Sequence, residues 1–119
     1  MTLRLPKGNA RAAQVVALDY EIVQEQASAL GRLGRALEAA LGTLAKFDGD
    51  LASVRDAPPQ PDGQNERATR ARLVQEASEA LWYFIVQREA CGLRDPRPVI
   101  REYRVPAEIY ARMGIVSRR

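Results

Sequence analysis

The stretch from Leu30 to Phe47, LGRLGRALEAALGTLAKF, decides how this chain folds. Its apolar residues fall at Leu30, Leu33, Leu37, Ala40, Leu44 and Phe47, in alternating steps of three and four. That spacing lines one face of an α-helix and is the pattern of a helix laid along another helix. Upstream, Leu18, Ile22, Gln26 and Leu30 lie four apart. The change of step is a stutter, which straightens or rotates the stripe near Ile22 and Val23. Gly31, Gly34 and Gly42 each cost up to about 1 kcal/mol against alanine in a helix interior. With Ala27, Ala36 and Ala40 nearby they read as points of close helix approach, or as a bend at Gly31–Gly34.

Working outward, helix one is expected over residues 10–48, after a loose lead-in of residues 1–9 that ends in Asn9 as a cap. Leu51 and Val54 keep the phase and allow two more turns. Residues 57–64, with Pro58, Pro59, Pro61 and Gly63, form a connection in which no helix fits. Asp62 or Asn65 is the candidate cap of helix two, and Glu66 suits the dipole in its first turn. Helix two is expected over residues 65–91, with Gly92 closing it and a seam of Val74, Ala77, Leu81 and Phe84.

Leu81-Trp82-Tyr83-Phe84-Ile85-Val86 is apolar in every direction around that helix, which predicts burial on all sides. Helix one covers one side. The other cover is expected from residues 95–113, read as two short helices. Asp95-Pro96 opens the first as cap and first helical residue. Val105-Pro106 opens the second, and Gly114 closes it. The expected fold is therefore all-α: one domain, a long antiparallel helical hairpin with two short C-terminal helices over the second helix.

The chain has 119 residues, 46% of them hydrophobic and 28% charged, enough for a single core. Sixteen of its 18 basic residues are arginine, Lys7 and Lys46 being the exceptions. With abundant alanine this is the composition of a GC-rich bacterial coding sequence. Residues 88–119 hold eight arginines against four acidic residues, whereas residues 1–87 hold ten basic and eleven acidic residues. The basic surplus is thus local. No apolar run approaches the roughly 20 residues a membrane span needs. Met1 to Gly8 carries no secretory core, and the lone Cys91 fits a reducing compartment, so the cytoplasm is expected.

The sequence contains no histidine. That removes the common nucleophile triads, the usual zinc sites and the Glu-x-x-His di-iron motif. Glu21 with Glu25, and Glu76 with Glu79, share helix faces but read as solvated charge. Cys91 stands at a helix C-terminus, where the dipole disfavours a thiolate, and it reads as structural. Gly31-Arg32-Leu33-Gly34 lies within a helix and lacks the strand a phosphate loop requires. No catalytic residue, cofactor or metal is expected. Gln87, Arg88, Glu89, Arg94, Asp95 and Arg97 crowd the turn after helix two. Ion pairs that lock the turn are the simpler reading, and an anion or partner held by Arg88, Arg94 and Arg97 is the alternative.

The block Ala80 to Asp95, ALWYFIVQREACGLRD, with Tyr103-Arg104-Val105-Pro106-Ala107-Glu108 downstream, resembles a family of small uncharacterised bacterial helical proteins. The resemblance covers roughly the last 55 residues. It implies a helical fold and no activity.

At 1.5 Å per residue, helix one spans about 57 Å and helix two about 39 Å. The mismatch leaves part of the first helix for another partner. The expectation is a non-enzymatic structural or interaction protein that self-associates, most simply as a homodimer, through Leu30, Leu33, Leu37 and Leu44. The alternative is a small nucleic-acid-associated protein using the arginine-rich C-terminal quarter. Its two short helices invite comparison with a helix-turn-helix, although Arg104 occupies the turn position that favours glycine.

Overall fold

The computed structural model describes residues 7–53 and 63–113. They form four helices: α1 (Lys7–Ser53), α2 (Gly63–Ala90), α3 (Arg97–Glu102) and α4 (Ala107–Arg112). There is no strand among the described residues. α1 outruns its expected span at both ends, so Asn9 lies inside the helix and is no cap. At the far end Leu51 holds the apolar phase through Ser53. α2 likewise starts at Gly63, which places Gly63 and Asn65 within the helix. Asp62, Val54 and Gly114 fall outside the described residues, as does most of the proline-rich connection.

α1 and α2 pack in opposite directions. Asp48, near the end of α1, meets Arg70, near the start of α2. Gly34 lies against Phe84, toward the other end of α2. The core between them is built from Leu37 and Leu44 of α1 and from Leu73, Val74, Ala77, Leu81, Phe84 and Ile85 of α2. Leu30, Leu33, Ala40, Leu41 and Phe47 flank it, half-buried. Val99, Val105 and Ile109 complete it from the C-terminal segment, and Ile109 is wholly buried.

Gly34 has a specific task here. A Cβ on it would stand 2.7 Å from the Tyr103 hydroxyl, so the bare backbone is what admits that ring. Tyr103 in turn packs edge-on against Phe84, with ring centroids 5.5 Å apart. A Cβ on Gly42 would meet nothing within 4 Å, so that glycine serves no close approach.

Two helix ends share one device. At the end of α2, Leu93 N–H donates to the Arg88 carbonyl and Gly92 N–H to that of Glu89, with Gly92 at φ 90°. At the end of α3, Val105 N–H donates to Ile100 and Arg104 N–H to Arg101, with Arg104 at φ 52°. Both are Schellman closures, which need a left-handed residue after the cap. Glycine fills the first at no steric cost; arginine fills the second.

The expectation that Leu81 to Val86 is buried all round is not met. Leu81, Phe84 and Ile85 are in the core, but Trp82, Tyr83 and Val86 are 51%, 54% and 42% exposed. α1 and the C-terminal segment lie over the same half of α2. α3 and α4 have six residues each, about 9 Å, too short to wrap to the far side.

Candidate association surface

The core accounts for only part of α1. At 1.5 Å per residue α1 is about 70 Å long and α2 about 42 Å. The pairings of Asp48 with Arg70 and of Gly34 with Phe84 fix the register. Carried forward, that register brings the end of α2 level with about Ser28. The first five to six turns of α1 therefore project beyond the core. The molecule is a rod of 89 × 29 × 20 Å, with a radius of gyration of 22.3 Å. A compact chain of this length has about 13 Å.

The projecting part is not polar. Val15, Val16, Leu18, Tyr20, Ile22 and Val23 are 54–66% exposed. On a helical wheel they fill an arc of roughly 200° that faces the same way as Leu37. The face that buries Leu37 and Leu44 downstream thus continues, uncovered, upstream. Scattered exposed hydrophobes are ordinary, whereas these six share one arc of the helix, with Asp19 at its middle.

The four leucines expected to form the association seam lie in or against the chain's own core. Leu37 and Leu44 are 0% and 2% exposed inside the chain's own core, and Leu30 and Leu33 are half-buried against it. These leucines are occupied by α2, because its register reaches them. Stepping back from Leu30 by fours leads through Gln26 and so misses Val15, Val16 and Val23. A wheel drawn over residues 12–26 would have found them.

Arg88, Arg94 and Arg97 line the turn after α2, which is organised by Asp95. The Asp95 carboxylate accepts the Arg97 backbone N–H at 3.0 Å and both its Nε and Nη2 at 2.9 Å. Arg97 holds that carboxyl down to about 2, against an ordinary 3.8. Arg88 Nη2 donates to the Asp95 carbonyl at 3.2 Å, and its guanidinium stands 6.0 Å over the Phe84 ring. Arg94 is exposed and makes no ion pair among the described residues. Cys91 is half-buried at the same turn, with Gln87 Nε2 3.8 Å from its sulfur.

The dominant electrostatic feature went unread in the sequence. Arg70 grips Asp48 through Nε and Nη2 at 2.8 and 3.1 Å, and Glu108 through Nη1 and Nη2 at 3.0 and 2.6 Å. One guanidinium thereby ties α1, α2 and α4 together, using both forks in the geometry that suits carboxylates. It draws both carboxyls below their ordinary values, chiefly through these hydrogen bonds. Its partners lie 22 and 38 residues away, a separation no local pattern reveals.

On the exposed half of α2, at its border with α4, Trp82 and Tyr83 stand edge-on, 5.5 Å apart, beside a shallow groove. Gln75, Glu79, Arg112 and Met113 line its other parts. Arg112 is engaged there by the Gln75 side-chain carbonyl. Three of the four acidic residues singled out in the sequence are engaged: Glu25 faces Arg32 at 3.6 Å, Glu76 accepts from Arg72, and Glu79 accepts from Gln75. No described helix is long and apolar enough to cross a membrane.

Residues 63–119 match the model of a family of unknown function (DUF6665). The match takes in α2, α3 and α4, and with them the block Ala80 to Asp95. It leaves out α1. No curated protein and no solved structure matches the chain.

Proposed function

We propose that this chain is a structural or interaction protein that self-associates through the projecting part of α1. The observation that carries the reading is the row Val15, Val16, Leu18, Tyr20, Ile22 and Val23, more than half exposed on a helix that has outrun its own partner. Most helical stability in proteins comes from packing an amphipathic face, and the projecting part of α1 has none within the chain, so burial of that face is what would hold it firmly helical. A second copy supplies an identical, equally unpaired face, and closed two-fold pairing is the commonest way to use one. In this reading the C-terminal helices close a core that holds α1 as a rigid arm, and the arm makes the contact. No group of the chain is assigned a catalytic role.

The test is the concentration dependence of thermal unfolding. Association that accompanies folding raises the midpoint as the protein is concentrated, by mass action. A midpoint independent of concentration from 1 to 100 µM (about two decades, each worth RT ln 10) would count against the reading.

The exposed pair Trp82 and Tyr83 beside Arg112 favours one second reading, an aromatic and basic platform for single-stranded nucleic acid. Glu79 in the same groove and the bond from Arg112 to Gln75 weigh against it. A fluorescence titration with an oligonucleotide, repeated at rising salt, separates the two.

A further inference from the structure

We infer that the second copy pairs antiparallel, with the two-fold axis passing through Asp19; this rests on the self-association proposed above and specifies its register. Residues 15–23 read VVALDYEIV. About Asp19 the apolar residues are placed symmetrically: Leu18 with Tyr20, Val16 with Ile22, Val15 with Val23. On the helical wheel Asp19 lies at the middle of the exposed arc, with Val15 and Ile22 on one side of it and Val16 and Val23 on the other. A carboxylate at the centre of an apolar face is a local contradiction in a monomer and a register device in a pair.

A two-fold interface requires that where residue i meets j, j also meets i. Antiparallel pairing about Asp19 sets Val15 level with the partner's Val23 and on the same flank as the partner's Ile22, Val16 on the same flank as the partner's Val23, Leu18 beside the partner's Leu18 and Tyr20 beside the partner's Tyr20. Every one of the six exposed hydrophobes then finds another. With roughly 80 Å² of apolar surface to be gained at each, the twelve side chains bring the interface to about 1,000 Å², where specific association begins.

The charges agree with that direction. Arg11 and Glu25 lie on the same flank of α1, the flank of Leu18. Same flanks meet in an antiparallel pair, and this register sets Arg11 within about 3 Å axially of the partner's Glu25. A parallel pair offers Arg11 no acidic residue on the opposing flank. The two Asp19 carboxylates face each other at the axis, where mutual repulsion weakens the pair but penalises nothing so much as a slipped register that would bury either against valine.

The experiment is disulfide trapping on a Cys91→Ser background. A bridge needs Cα atoms within about 7 Å, whereas antiparallel pairing leaves two copies of residue 15 about 12 Å apart along the axis. Val15→Cys and Val23→Cys proteins should therefore stay unlinked when oxidised separately and form a linked heterodimer when mixed. Asp19→Cys should link to itself. Asp19→Leu, without oxidation, should tighten the dissociation constant at least tenfold. If Cys91→Ser lowers helicity, the same series is made with the half-buried Cys91 in place and scored by mapping which cysteine carries the bridge. Val15→Cys linking to itself, or a dimer that links in neither arrangement, overturns this register and leaves self-association standing. A chain that sediments as a monomer at every concentration overturns both.

Discussion

Arg104 occupies a left-handed position, φ 52°, that closes α3 and that an L side chain adopts only at about 1–2 kcal/mol. Glycine relieves that strain but adds freedom to the unfolded chain. Arg104→Gly is therefore expected to stabilise by about 0.5–1 kcal/mol net, read as a rise in melting temperature of a few degrees. Trp82 gives a second check at this scale. Half exposed on the open side of α2, it should emit at long wavelength and be quenched freely by iodide or acrylamide. The sequence placed it in the core because six consecutive apolar residues look alike on paper. Only the lengths of α3 and α4 show that neither covers the far side. Gly92, by contrast, was legible, because a glycine directly after a helical run has one common use.

At the scale of elements, the Arg70 clamp joins three helices. Asp48 and Glu108 bind as carboxylates, and their acidities are strengthened relative to ordinary values of 3.8 and 4.5. Groups whose pKa is depressed on folding stabilise above the unfolded value, and that contribution is lost as pH falls through the folded one. The clamp should thus be intact at neutral pH and be lost progressively as pH falls below those ordinary values. Its side chains are 33–48% exposed, so solvent screening holds its worth to about 1 kcal/mol. Arg70→Ala should lower stability by that amount at pH 7 and flatten the acid limb of a denaturation series. α4 depends more on packing: Ile109 is fully buried, and Ile109→Ala should cost about 2–5 kcal/mol by urea unfolding. Helix content and the helix seams were readable because periodicity is local. The clamp was not, because its members sit on three different helices.

At the scale of the whole molecule, the decisive quantity is the difference in length between α1 and α2. The sequence showed the mismatch but assigned the surplus to the wrong residues, since Leu37 and Leu44 have the cleanest spacing. The register set by Asp48 and Arg70, with Gly34 opposite Phe84, gives those leucines to the core and leaves Val15 to Val23 exposed. The family match over residues 63–119 covers α2 to α4 and leaves out the whole of α1, the part that supplies Leu37 and Leu44 to the core included. The most direct test is sedimentation velocity of the full chain beside an Ile22→Asp, Val23→Asp variant, both at micromolar concentration. The account predicts a dimer for the native chain. It predicts a monomer for the variant, whose melting of the α2–α4 core by near-UV circular dichroism should persist. A native chain that sediments as a monomer, or a variant that remains dimeric, would contradict it.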